Sequence, residues 1–255
     1  MARKSRKGAQ ERDTPPDVDV ARSNLDTRSM ASTSPPEFTG FPVAALDFYD
    51  DLEVDNTRSF WTAHKQVYDE SVREPMTALC AALEREFGTA KIFRPYRDVR
   101  FAKDKTPYKT HQGAFVAAGP STGWYVQISA QGVRVGGGFY EASGPRLAAI
   151  RDAMADDTTG PKLVRIVRKL EREGFEINGE QLKTSPRGYD ADHPRIDLLR
   201  RKQLFANRSY GFEDVIHTPE VLEMTRADWK RLRPLVRWLT DIPDVPSASR
   251  RVRPW

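Results

Sequence analysis

The chain has one cysteine, Cys80, among its 255 residues. A single cysteine excludes an internal disulfide and the cysteine-rich zinc sites, and it favours a reducing compartment. Cys80 lies in an apolar helical pattern with Leu79 and Leu83, which predicts a buried and unreactive thiol. We therefore expect a cytoplasmic protein without a cysteine nucleophile.

Long apolar runs and short catalytic motifs are also absent. No segment approaches the ~20 apolar residues of a membrane helix, and the basic start MARKSRKGAQ lacks the apolar stretch of a secretory signal. There is no HExxH, CxxC, GxSxG, GxGxxG or phosphate-loop motif, and the histidines are scattered. The sequence therefore predicts no membrane contact and no metal site, and it identifies no cofactor, reaction class or oligomeric state.

The positive charge is concentrated at the two ends. Residues 1–36 carry seven basic and five acidic side chains, and the final RRVRPW adds three arginines. Because the whole chain carries +5, residues 37–249 are neutral overall, which disfavours a nucleic-acid surface on the folded part. We expect a disordered polar tail over 1–36, a single domain over 37–245 and a short basic tail over 246–255, with weak nucleic-acid attraction through the tails alone.

Apolar residues recur at helical spacing on both sides of the middle of the chain. Before it, the pattern predicts helices over about 43–52, from Asp55 or Asn56 to about Arg73, and from about Met76 to Gly88. After it, helices are predicted at about 145–155, at 161–173 and beyond Thr218–Pro219, and Asn178–Gly179 has the form of a hairpin turn.

In the middle of the chain the period changes to two. Residues 124–129 alternate, so we expect Trp124, Val126 and Ile128 to face helices. Tyr125, Gln127 and Ser129 should face away from them, into a cleft or water. Further strands are predicted near 99–101, 113–118 and 133–135, with turns too short for parallel pairing. The fold class is α+β: an antiparallel β-meander sheet in the middle of the chain, packed by N-terminal and C-terminal helices.

Basic and aromatic side chains are densest in FRPYRDVRFAKDKTPYKTHQGAF, residues 93–115. Guanidinium groups on a strand pattern must meet carboxylates or a bound anion. This pattern predicts a site for an anionic ligand, with the candidate residues Arg94, Arg97, Arg100, Lys103, Lys105, Tyr108, Lys109 and His111. An equally weighted alternative is a structural Arg–Asp network beneath a solvated lysine loop.

A second loop, SPRGYDADHP, covers residues 185–194 and is stiffened by two prolines. Arg187, Tyr189 and His193 supply useful site chemistry, so they are further ligand-binding candidates. Asp192 fits better as the cap of a following helix. If both loops serve one site, they should converge around one cavity.

Several ordered segments resemble a known family. FTGFPVAALDFYDDLEVDNTRSFWTAHKQVYDESVREP, the basic segment from Ile92 to Phe115, VGGGFY and LKTSPRGYDADHPRIDLLRRK are similar to the domain-of-unknown-function family numbered 2461. The resemblance covers roughly residues 38–240 and leaves out the N-terminal tail. It implies membership of a conserved hypothetical family with no established activity.

Three functional interpretations stay open. The first is a protein with a basic cleft for a phosphorylated or carboxylated small molecule, which includes an enzyme acting on such a substrate. The second is a non-catalytic protein-interaction module, in which acidic partners saturate the arginines. The third is a nucleic-acid-associated factor recruited through its tails.

Overall fold

A computed structural model describes residues 37–100 and 104–244 of the chain. The predicted tails, residues 1–36 and 246–255, lie outside these ranges, as does Lys103. Within the described part, the helices are all too short or too polar to cross a membrane.

Three helices precede the sheet, and the second and third are joined by a helical turn. Their bounds are Val43–Val54 (α1), Arg58–Val67 (α2) and Glu74–Phe87 (α3). The hydroxyl of Thr57 accepts a hydrogen bond from the Phe60 amide (3.2 Å), so Thr57 caps α2 and neither Asp55 nor Asn56 does. A π-helical turn over Tyr68–Arg73 joins α2 to α3, and Gly88, with φ of 103°, ends α3 as predicted.

Six antiparallel strands form one mixed-length sheet in the order β1-β2-β3-β4-β6-β5. They are Ala90–Ile92 (β1), His111–Gly119 (β2), Thr122–Ser129 (β3), Gly132–Phe139 (β4), Glu176–Asn178 (β5) and Leu204–Gly211 (β6). Of these, β2, β3 and β4 form the meander that the sequence predicted, and β1 pairs with β2 at its edge. Val99 and Arg100 belong to no strand, which corrects that expectation. Short β1 and the polar β6 carried too little periodicity to be predicted from sequence.

The remaining helices follow the meander. They are Gly144–Ala155 (α4), Gly160–Arg172 (α5), Ile196–Leu199 (α6) and Glu220–Thr240 (α7), with a 3₁₀ turn over Asp214–His217 before α7. Because α6 separates β5 from β6, Asn178–Gly179 is not a hairpin turn. The fold is α+β, with the sheet in mid-chain and helices on both sides of it in sequence.

The long helix α7 covers one face of the sheet. Val126 and Ile128 point to this side and are fully buried, and the Trp124 ring nitrogen donates to the Trp229 carbonyl of α7 (3.1 Å), as their period predicted. Ser129 is buried and does not line a cleft, which corrects the expectation for that position. The Trp229 ring nitrogen donates to the carbonyl of Tyr125 (3.2 Å), and a Cβ at Gly137 would lie 3.4 Å from the Leu232 side chain. Gly137 therefore lets the helix approach β4 closely.

A buried carboxylate also ties α7 to β6. Asp228, 2 % exposed, accepts hydrogen bonds from Arg208 (2.8 Å), Arg231 (2.7 Å) and the Tyr210 hydroxyl (3.0 Å). Burial, and then the Asp228 charge, raise the pKa of Tyr210 far above its usual range, so this phenol stays a donor. These bonds hold the last long strand against the helical layer.

Candidate functional site

The face of the sheet opposite α7 carries a cavity of about 600 Å³, here called the open-face cleft. Its side chains come from the end of the basic segment, from β2, β3, β4 and β6, and from the residue after β4. Five aromatic rings line it: Phe93, Phe115, Tyr125, Tyr140 and Phe205. A pocket of this size and apolar character has the dimensions of a small-molecule site.

Glycines on neighbouring strands let two of these rings lie flat on the sheet. A Cβ at Gly113 would be 2.4 Å from the Tyr125 hydroxyl, and one at Gly123 would be 2.6 Å from the Phe115 ring. Both positions must therefore lack a side chain for the rings to occupy these places. The rings form an apolar wall on the β2 and β3 side of the cleft.

Three basic side chains, Lys109, His111 and Arg134, line the cleft with no Asp or Glu among its described lining residues. Burial lowers the pKa of His111, and the charges of Lys109 and Arg134 lower it further. Burial and the nearby Arg94 likewise lower the pKa of Lys109. Arg134 is exposed and takes part in none of the ion pairs within the described ranges. Positive charge is therefore concentrated here without a carboxylate to neutralise it.

Polar groups on the floor add hydrogen-bond donors. The Tyr125 hydroxyl donates to the side-chain amide oxygen of Gln127 (3.0 Å), and burial raises the pKa of Tyr125 to about 12. The Gln127 amide nitrogen is left for another acceptor. On β6, Asn207 accepts from Asn178 (2.7 Å) and donates to Glu176 (3.4 Å), so this pair of amides separates the carboxylate from the cleft.

Of the residues predicted in the basic segment, Arg97 and Arg100 have acidic partners. Arg97 binds Asp104 and the hydroxyl of Thr106. Hydrogen bonds from Thr106, followed by the one from Arg97, lower the pKa of Asp104 to about 2. Arg100 makes two hydrogen bonds to Asp98 (2.9 and 2.7 Å) and lowers its pKa. These two guanidinium groups do not line the cleft.

The other members of that segment divide between support and lining. Tyr108 is 4 % exposed and stacks on Trp61 (4.3 Å between centroids), and its backbone makes two hydrogen bonds to the Asn56 side chain (3.0 and 3.1 Å). Lys105 donates to the Val99 carbonyl (2.9 Å). Arg94 is exposed, and its carbonyl accepts from Lys109 (3.1 Å). Lys103 lies outside the described residues, and of the other members of this set only Lys109 and His111 line the cleft.

The second loop packs elsewhere. The Tyr189 hydroxyl donates to Asp152 on α4 (2.7 Å), and His193 accepts from the Arg195 amide (3.0 Å). Arg187 is exposed. None of the three lines the cleft, so the structure does not bring the two predicted loops together around this cavity.

Metal ligands and the cysteine give no further site. Across residues 37–100 and 104–244, no three His, Cys, Asp or Glu side chains are placed to hold a metal ion. Cys80 is buried in α3, as predicted, and burial raises the pKa of its thiol to about 12.

Sequence reasoning missed Arg134 and Phe205 as lining residues. A signal was present for Arg134, which alternates with Val133 and Val135 and so must point away from the core. Phe205 lay in a segment without predicted strand character. Tyr125 and Gln127 do face the cleft, as the alternation of β3 predicted.

Comparison with known proteins identifies a family and no nearer relative. A family described as "Conserved hypothetical protein (DUF2461)" matches residues 44–238, which include every helix and strand from α2 to β6 and most of α1 and α7. No curated protein and no solved structure matches the chain. Since the match covers well over half of the sequence, the chain belongs to the DUF2461 family of conserved hypothetical proteins.

Proposed function

We propose that the protein binds a small anionic molecule, carboxylated or phosphorylated, in the open-face cleft. The observation that carries the proposal is the convergence of Lys109, His111 and Arg134 on a cavity whose described lining contains no carboxylate. Like charges in a partly desolvated site repel each other, and a bound anion relieves that repulsion. The single buried cysteine supports placing this protein in the cytoplasm.

Arg134 is the residue to test because its removal has little structural cost. It is exposed and takes part in no described ion pair, and both statements also hold for Arg187 in the second loop. Arg134→Gln and Arg187→Gln therefore each remove one positive charge from an exposed position, inside the cleft in the first variant and outside it in the second. Neither variant should change the melting temperature of the free protein by much.

The experiment follows the melting temperature during titration with phosphate, benzoate and sulfate. We expect a saturable rise with at least one anion and a loss of affinity of at least about tenfold in Arg134→Gln, as for a charged hydrogen bond. Sulfate also stabilises proteins without binding, but that rise does not saturate. If no anion shifts the melting temperature saturably, or if both variants lose the same affinity, the open-face cleft is not the anion site.

A second candidate is a non-catalytic protein-interaction module. The pairing of Arg97 with Asp104 and of Arg100 with Asp98 favours it, because that interpretation expects acidic partners for these arginines. It locates function on the surface of the basic segment, where Tyr96 is 50 % exposed. In that case Arg97→Ala should weaken the segment itself and leave the anion titrations unchanged. The tail-based nucleic-acid interpretation concerns residues outside the described ranges.

A further inference from the structure

The cleft is polar at one end and aromatic at the other, along a single strand. On the cleft face of β4, alternate positions are Arg134, Gly136, Gly138 and, just beyond the strand, Tyr140. Positions two apart in a strand share a face, so a cation and an aromatic ring are separated by two positions without side chains. Gly136 and Gly138 are called the glycine row below.

The neighbouring strands repeat this division. At the polar end, Gln127 of β3 pairs with Arg134. At the other end, Phe205 of β6 pairs with Gly138, and its ring lies 5.8 Å from the ring of Tyr140. Tyr125 pairs with Gly136 and forms the opposite wall. The glycine row is therefore a bare strip of backbone between aromatic walls.

The dimensions of the strip suit one ring. Side chains on the flanking strands β3 and β6 stand about 10 Å apart, twice the interstrand spacing, and the two glycine positions are about 7 Å apart along β4. A flat ring between aromatic side chains gains edge or offset-stacked contacts that a puckered ring of equal size lacks. Because neither glycine carries a side chain, only backbone lies beneath the ring at these two positions.

From this arrangement we propose that the ligand is a planar ring that carries an acid group, with the acid at Arg134 and Gln127 and the ring on the glycine row. The inference rests on the proposed function and specifies its ligand class. The shared chemistry is a ring acid, whether carboxylate or phosphate monoester. At the β2 side of the same cleft, Lys109 adds positive charge and His111 adds an imidazole that can hydrogen-bond to the acid.

The glycine row cannot itself be filled as a test. A Cβ at Gly136 would be 2.9 Å from the Ala206 carbonyl, and one at Gly138 would be 2.3 Å from the Leu204 carbonyl, at a φ of 143°. Substitution there strains the sheet whatever the ligand. The wall residues are better targets: Tyr140 is 66 % exposed, and Phe212, outside the cleft, is a matched control at 70 %.

The experiment compares the dissociation constants of benzoate, cyclohexanecarboxylate, benzamide and phenyl phosphate for the full-length protein. We expect benzoate or phenyl phosphate to bind most tightly. The affinity for benzoate should exceed that for cyclohexanecarboxylate by about two- to tenfold. Tyr140→Leu should abolish that preference, and Phe212→Leu should keep it. The tighter of benzoate and phenyl phosphate identifies the acid group.

The two ways of failing are distinct. If benzoate and cyclohexanecarboxylate bind equally well and both are weakened by Arg134→Gln, the anion site stands and the planar-ring inference is overturned. If benzamide binds as tightly as benzoate, the proposed anion function fails with it. If none of the four compounds binds saturably, the planar-ring inference is overturned, and the phosphate and sulfate titrations decide separately whether the anion site stands. A preference for benzoate that survives Tyr140→Leu would also contradict the placement of the ring.

Discussion

The contact between Gly113 and the Tyr125 ring allows a quantitative prediction. In Gly113→Ala, the new Cβ would start 2.4 Å from the Tyr125 hydroxyl and 2.9 Å from two ring carbons. Ordinary carbon contacts are about 3.5–4.0 Å, so the ring must move by roughly 1 Å toward the cleft. Overpacking of this kind lowers the free energy of unfolding by about 1–3 kcal/mol. The replacement of glycine by alanine in a strand offsets about 0.5–1 kcal/mol of this loss, because alanine loses less backbone entropy on folding. We expect a net loss of about 1–2 kcal/mol.

Urea unfolding measures this loss against a control in the same protein. Gly144 begins α4, and a Cβ added there would meet no neighbouring atom within 4 Å, so Gly144→Ala should be neutral or stabilising by about 0.4–1 kcal/mol. Gly113→Ala should also weaken benzoate binding, because the displaced ring enters the cleft. Equal unfolding free energies for the two variants would refute the placement of Tyr125 on Gly113.

Two further predictions concern a buried charge and pH. Asp228→Asn should lower the free energy of unfolding by about 1–3 kcal/mol, because it leaves the half-buried Arg208 without its carboxylate partner. The 90 % exposed Asp197→Asn should cost less than about 1 kcal/mol in the same urea assay. Because the His111 pKa is depressed, the unfolded chain takes up the proton first, so stability should fall as the pH drops below about 6.5. A bound carboxylate favours the imidazolium, so benzoate should bind more tightly near pH 5.5 than near pH 8. In His111→Gln, the benzoate affinity measured by calorimetry should depend much less on pH. A wild-type affinity that does not change between these pH values would contradict the prediction.

Local pattern determined much of the fold from the sequence. The two-residue period of β3 predicted that Val126 and Ile128 are buried and that Tyr125 faces a cleft, because alternate side chains of a strand point to opposite faces. Helical spacing located α1, α3, α4 and α5 within a few residues, and the setting of Cys80 predicted its burial. Each of these properties depends on neighbours close in the chain.

The tertiary structure alone decided where the open-face cleft lies. The high density of basic and aromatic residues in the sequence drew attention to Arg97, and the composition of the second loop drew attention to Arg187. Neither feature shows whether a guanidinium group contacts a carboxylate or lines a cavity. Asp104, seven residues away, satisfies Arg97. The cleft instead joins His111, Arg134 and Phe205, which are brought together by strand pairing across the sheet. Pairing between distant strands has no local signature, because it is selected by the burial of the whole opposite face.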